Sequence, residues 1–157
     1  MKKLMYLALA AALVASVAVA QEKPWFDMKN CAFCQQIDAQ PGLAQHMTNE
    51  YHNLSNGYLS ITHVDAEYQD AFKKAQAGMG KVVADMQATG KMPPMCQHCT
   101  KYGEFLQAGV QEHSVHTSFG DIYMMMSSDT AMVTKLQAFS ARCGEECAKM
   151  KAEMKKK

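Results

Sequence analysis

The run Tyr51-His52-Asn53-Leu54-Ser55-Asn56-Gly57-Tyr58-Leu59-Ser60-Ile61-Thr62-His63-Val64 decides the fold. Asn56-Gly57 is a two-residue turn signal, because both central positions of a tight hairpin turn need positive φ. After the turn, Leu59, Ile61 and His63 alternate onto one face, as a strand requires. This predicts a hairpin with strands over residues 51–55 and 58–64.

An echo follows 63 to 65 residues later. Residues 114–119 precede Gly120-Asp121, and residues 122–127 place Ile122, Met124 and Met126 on one face. Each predicted hairpin is preceded by a C-x-x-C pair and a helical pattern. The pairs are Cys31/Cys34 and Cys96/Cys99. After the second pair, Cys99, Tyr102, Phe105, Leu106 and Val110 share one helical face. After the first, Pro41-Gly42 breaks the pattern into a short helix, a turn and a second helix through about Glu50.

Each hairpin is also followed by a helix that opens at an Asp cap. Asp65 precedes the stripe Tyr68, Ala71, Phe72, Ala75, Met79, Val82, Val83 and Met86, with Gly90 and Pro93-Pro94 as the stop. Gly78 and Gly80 inside that stripe suggest a kink or a close helix crossing. Asp129 precedes Met132, Val133, Leu136, Phe139 and Cys143, with Gly144 just after. The expected class is α+β: internally duplicated helix–hairpin–helix units that pair into a four-stranded antiparallel sheet packed with helices. Repeat one covers residues 28–90 and repeat two 93–148, within a single domain over 21–148. An all-α bundle, with the hairpin strands read as loops, is the alternative.

The ends read differently. Met1-Lys2-Lys3, an apolar run from Leu4 to Val19, and Ala18-Val19-Ala20 have the layout of a secretory signal peptide cleaved after Ala20. A periplasmic or secreted location follows, and no second apolar run predicts membrane insertion. Residues 149–157 form a basic tail that suits the negative end of a helix dipole.

The whole chain has 157 residues, is 48% hydrophobic and carries a formal charge of +1. That is enough apolar material for a core. The near-neutral balance argues against a nucleic-acid surface, which needs a dominant basic field. No H-E-x-x-H, phosphate-cradling glycine loop or Ser/His/Asp spacing occurs, so neither a hydrolase nor a nucleotide site is expected.

The chemistry rests on six cysteines in close pairs: Cys31/Cys34, Cys96/Cys99 and Cys143/Cys147. In an oxidising compartment an even count suits disulfides that staple a structural or ligand-binding module. The same thiols suit a metal. Two C-x-x-C knuckles from opposite halves would make a four-thiolate site if the fold brought them together. His52 and His116, at matching places in the first strand of each hairpin, would add nitrogen ligands. Met28 and Met95 flank the pairs as soft donors, and thioethers with thiolates favour Cu(I). Cys143 and Cys147, four apart on one helix face, form a secondary metal or disulfide pair. A thiol–disulfide oxidoreductase is the third reading. C-x-x-C also serves thioredoxin-type proteins, but no strand precedes either pair and no βαβ pattern surrounds them. Haem attachment is disfavoured because Gln35 and Thr100 stand where His would follow. The leading expectation is non-catalytic binding of copper or zinc, with a metal ion or small ligand as partner.

Overall fold

The computed structural model describes residues 23–154 and 156. The expected signal peptide, residues 1–20, lies outside them. Among the described residues are four α-helices and four strands: α1 (Cys34–Asp38), β1 (Met47–Leu54), β2 (Gly57–Val64), α2 (Gln69–Thr89), α3 (Gln97–Gln107), β3 (Gln111–His116), β4 (Gly120–Met126) and α4 (Thr130–Met154). The strands form one sheet in the order β1-β2-β4-β3, with every neighbouring pair antiparallel. The fold is α+β, and the all-helical alternative fails on those four strands.

Both hairpins form, but the first turn sits one residue earlier than expected, and the second, Ser118-Phe119 inside the 2.8 Å bond from the Thr117 amide to the Gly120 carbonyl, two residues earlier. Leu54 pairs with Gly57, so Ser55-Asn56 is the first turn, and His116 pairs with Asp121. Gly57 and Gly120 instead open the two inner strands. Gly57 faces Met126 and Gly120 faces His63 across the central β2–β4 pairing. A Cβ on Gly57 would overlap the Met125 carbonyl oxygen, and one on Gly120, whose φ is 143°, would overlap that of Thr62. These glycines therefore serve close approach between strands rather than turn geometry.

Two further departures concern boundaries. The helix expected through Glu50 is a 3-10 turn, Leu43–His46, and Met47 already begins β1. Pairing of Met47 with Val64 and of Thr48 with His63 outweighs the local helical pattern. Gly144 does not end the last helix. α4 runs on to Met154 and takes in most of the basic tail, with Lys149 bridging Glu146 at 2.8 Å.

Of the expected caps, Asp129 and Gly90 form, whereas Asp65 opens a 3-10 turn, Ala66–Tyr68, makes no side-chain cap bond and pairs instead with His46 Nδ1 at 2.7 Å, so that α2 starts only at Gln69. Asp129 Oδ1 accepts the Ala131 and Met132 amides at 2.8 and 3.3 Å. Gly90, with φ of 65°, closes α2 through its amide to the Met86 carbonyl. Gly78 marks the close crossing: α1 packs there, and a Cβ would meet the Gln36 side chain, whereas Gly80 faces open space.

Helices cover one face of the sheet. Tyr58 and Met125 pack with Phe105, Val110, Leu136, Phe139 and Cys143. Beside them Val64 packs with Leu43, Phe72 and Ala75. Leu59, Ile61, Ile122 and Met124, the residues whose alternation was most visible in the sequence, lie on the other face and are half-buried. Among the described residues no helix is long and apolar enough to cross a membrane.

Candidate metal centre

The two C-x-x-C segments meet at one end of the helical layer. Asp27 prepares the first. Its Oδ1 accepts the Asn30 and Lys29 amides at 2.9 and 3.1 Å, and its carbonyl accepts the Cys31 amide at 3.1 Å. The Asn30 side chain and amide hold the Asp27 carboxyl below its usual range. Asp27 is the acceptor that organises this turn. In the second segment Cys96 is the N-cap residue of α3, in extended geometry, and its carbonyl accepts the Thr100 amide at 3.0 Å.

The backbone ties these segments together. The Ala32 amide donates to the Pro94 carbonyl at 2.9 Å. The Gln97 and His98 amides, two of the orphan donors that open α3, donate to the Pro24 and Trp25 carbonyls at 3.2 and 3.0 Å. Residues 24–34 are thereby clamped across the start of α3.

As a result, the sulfurs of Cys31, Cys34, Cys96 and Cys99 all lie within 4.8 Å of one another. The short contacts run between the motifs. Cys31 Sγ donates to Cys99 Sγ at 3.5 Å, and Cys34 and Cys96 approach to 3.7 Å. None of the six cysteines is in a disulfide. Cys31, Cys34 and Cys96 are buried, while Cys99 is partly open to solvent. For a tetrahedral ion with metal–sulfur bonds of about 2.3 Å, the sulfur–sulfur edge is about 3.8 Å. The two short contacts, 3.5 and 3.7 Å, lie just under that edge and no separation exceeds 4.8 Å, so the four sulfurs fit a tetrahedral S4 set with modest adjustment.

The electrostatics of the group centre on Cys96. Cys34 and Cys99 both direct protons at Cys96, which pulls the Cys96 thiol well below its usual range. The same contact with Cys96 raises Cys34, and sharing with Cys34 and Cys96 raises Cys99. His98 lies within this motif but is enclosed by Trp25, Phe26, Tyr102 and Phe139. Burial lowers it to about 4, so it is neutral and contributes no cation to balance four thiolates.

The other candidates fall elsewhere. Strand register puts His52 opposite Leu59 and His116 opposite Asp121, on opposite faces of the sheet. His52 meets Glu50 at 3.3 Å, and His116 Nδ1 meets the buried Asp121 carboxylate at 2.7 Å. Neither joins the sulfur group, whose members are the four cysteines. Met28 packs against the sulfurs, as Phe33 does. Met95 is not among the described residues that pack there. Cys143 and Cys147 occupy a different place, on α4 beneath β1, where Tyr51 Oη lies 3.7 Å from Cys147 Sγ. Burial pushes the Cys143 thiol up to about 12.

Trp25 and Tyr51 carry structural roles at these cysteines that sequence reasoning missed. Trp25 is far along the chain from Cys143 and Cys147, and only the clamp onto α3 reveals it. For Tyr51 the alternation of β1 was the available signal. A comparison of the chain with family models, curated proteins and solved structures finds no match.

Proposed function

We propose that this protein binds one soft or borderline metal ion, zinc or copper, through Cys31, Cys34, Cys96 and Cys99, and that it does so without catalysis. The observation that carries the reading is the convergence of four sulfurs within 4.8 Å, contributed by motifs 61 residues apart. Four thiolates in tetrahedral arrangement suit Zn(II), and the Met28 thioether beside them adds a soft donor that would suit Cu(I). A closed set of four protein ligands leaves no open position for a substrate, which favours storage, transfer or a structural role.

The same reading includes export, supported by the signal-peptide layout of residues 1–20. It also includes an internal duplication. In its support, Gly57 and Gly120 open the two inner strands, and the closest sulfur contacts, Cys31 with Cys99 and Cys34 with Cys96, exchange under a swap of the two motifs.

The test is elemental analysis of protein purified under reducing conditions, followed by titration with Zn(II) and Cu(I). The expected result is one ion per chain, lost in a variant with all four cysteines replaced by Ser. Substoichiometric metal and no uptake on titration would defeat the reading. Thiol–disulfide exchange is favoured only by the 3.5 Å approach of Cys31 to the partly open Cys99. Turnover of a model disulfide by the reduced protein would establish it.

A further inference from the structure

We propose that Cys143 and Cys147 form a second and separate site for a monovalent soft cation of the Cu(I) class, with Tyr51 and Trp25 as hydrogen-bond donors to its sulfurs. This site does not rest on the four-sulfur centre.

The two thiols stand one turn apart on α4, so their side chains share a face. In a helix, Cβ atoms at this spacing are about 5–6 Å apart. A disulfide wants about 3.5–4.5 Å between Cβ atoms. The helix therefore holds this pair too wide for a direct bond and at a separation suited to an ion placed between the sulfurs. Soft thiolates select such a monovalent ion, which accepts few ligands.

The surroundings offer hydrogen-bond donors to the two sulfurs. Tyr51 Oη is 3.7 Å from Cys147 Sγ. Burial, with the neighbouring cysteines, raises the Tyr51 phenol above its usual range, so it remains a donor. Trp25 packs on the same core as Cys143, and its Nε1 is buried without a hydrogen-bond partner among the described residues. A buried donor left unpaired is costly, and a thiolate at Cys143 would supply the acceptor it lacks. The Arg142 guanidinium lies 5.6 Å from the centre of the Trp25 ring and meets Glu146 at 3.0 Å. The Arg142 guanidinium thus lies by Trp25, and Glu146, the carboxylate felt by Cys147, is paired with both Arg142 and Lys149. Cys143 is fully buried and Cys147 partly open, which provides an entry path.

Binding is a ligand exchange with no electron transfer. Two thiols and one monovalent cation give a bis-thiolate complex of charge −1, and two protons pass to the buffer.

Ag(I) is the probe, titrated into the reduced full chain with excess glutathione as competing thiol. Trp25, the only tryptophan, reports by its emission. The wild type should take up one more Ag(I) than Cys147→Ser and show an emission step that the variant lacks. Alkylation with mass mapping gives a second measurement on unaltered protein: Ag(I) should protect Cys147. Equal uptake and equal emission in the two proteins would overturn the proposal. So would removal of the ion by glutathione, or unchanged alkylation of Cys147. Failure of the four-sulfur centre would leave all three readouts in place.

Discussion

Filling the four-sulfur centre with Zn(II) should release three protons. All four sulfurs must be thiolates to ligate the ion. In the metal-free arrangement the protons that Cys34 and Cys99 direct at Cys96 lower its thiol and favour the thiolate there. Cys34 and Cys99 are raised by that same contact, and Cys31 donates to Cys99. Three protons therefore remain for the ion to displace. Because the raised thiols hold their protons below and through the ordinary thiol range, the metal competes with them there. Binding weakens as pH falls and strengthens as it rises. Cys96, lowered, adds nothing to that slope near neutrality. Each displaced proton contributes a factor of about ten, or about 1.4 kcal/mol, per pH unit. Three give about a thousandfold, or about 4 kcal/mol, per unit. Calorimetric titration in buffers of different ionisation heat counts the protons directly, and a pH series of competition titrations gives the slope. Release of four protons would show that Cys96 is an ordinary thiol in the metal-free protein. Release of one or none would refute the assignment of these sulfurs as a four-thiolate ligand set.

Three other outcomes are expected. His52→Ala and His116→Ala should leave Zn(II) affinity unchanged in competition titrations, since both side chains pair with carboxylates away from the sulfurs; a marked loss in either would return a histidine to the ligand set. Mild oxidation of the metal-free protein should yield Cys31–Cys99 and Cys34–Cys96 bridges, the closest pairs, and mass mapping that finds bonds within each C-x-x-C would contradict the geometry. Gly120→Ala should cost at least about 1–3 kcal/mol, because its Cβ meets a backbone carbonyl that side-chain rotation cannot clear. Gly80→Ala, on an exposed helix surface with open space, should instead stabilise by about 0.5–1 kcal/mol. Thermal unfolding separates the two, and equal midpoints would remove the close-approach role given to Gly120.

The hairpins were legible because their signals are local: a turn residue, an alternation and a length. The same signals misplaced the first turn by one residue and the second by two. Gly57 and Gly120 look like turn glycines, but the demand on them comes from the neighbouring inner strand, which is distant in sequence. The alternation of Leu59 and Ile61 was real, yet the helices cover the face of Tyr58 and Met125. Both faces of the inner strands carry apolar residues, so period alone does not choose between them. Cap chemistry read well at Asp129 and Gly90, where donor and acceptor lie within one turn. Gly144 read badly because a helix passes through a glycine when its neighbours pack, as Cys143 does. Among the candidate ligands the cysteines were visible as pairs. Their convergence depends on the Ala32–Pro94 bond and on the Pro24 and Trp25 carbonyls, which no motif announces. The histidines were chosen by matching position in the two halves, and strand parity then put them on opposite faces.

That convergence also sets what the proposed ion would contribute to this end of the molecule. The sheet and its helices have two cores of their own, rich in Leu, Phe, Val and Tyr. The sulfur group is a third cluster, made of Cys31, Cys34 and Cys96 with Met28, Phe33 and Cys99 against them. Cysteine side chains are small, and burial of a few of them contributes little beside the apolar cores. Against that small gain stands the ordering of residues 24–34, at about 1–2 kcal/mol of backbone entropy per residue. Three backbone bonds to Pro24, Trp25 and Pro94 offset part of it. Tetrahedral ligation of one ion would contribute about 10–16 kcal/mol at neutral pH in small zinc domains. A term of that size would dominate this end while leaving the sheet independent of it. With such an ion the segment would have the balance of a clamp that closes on a metal, and the rest of the fold that of a scaffold that stands without one.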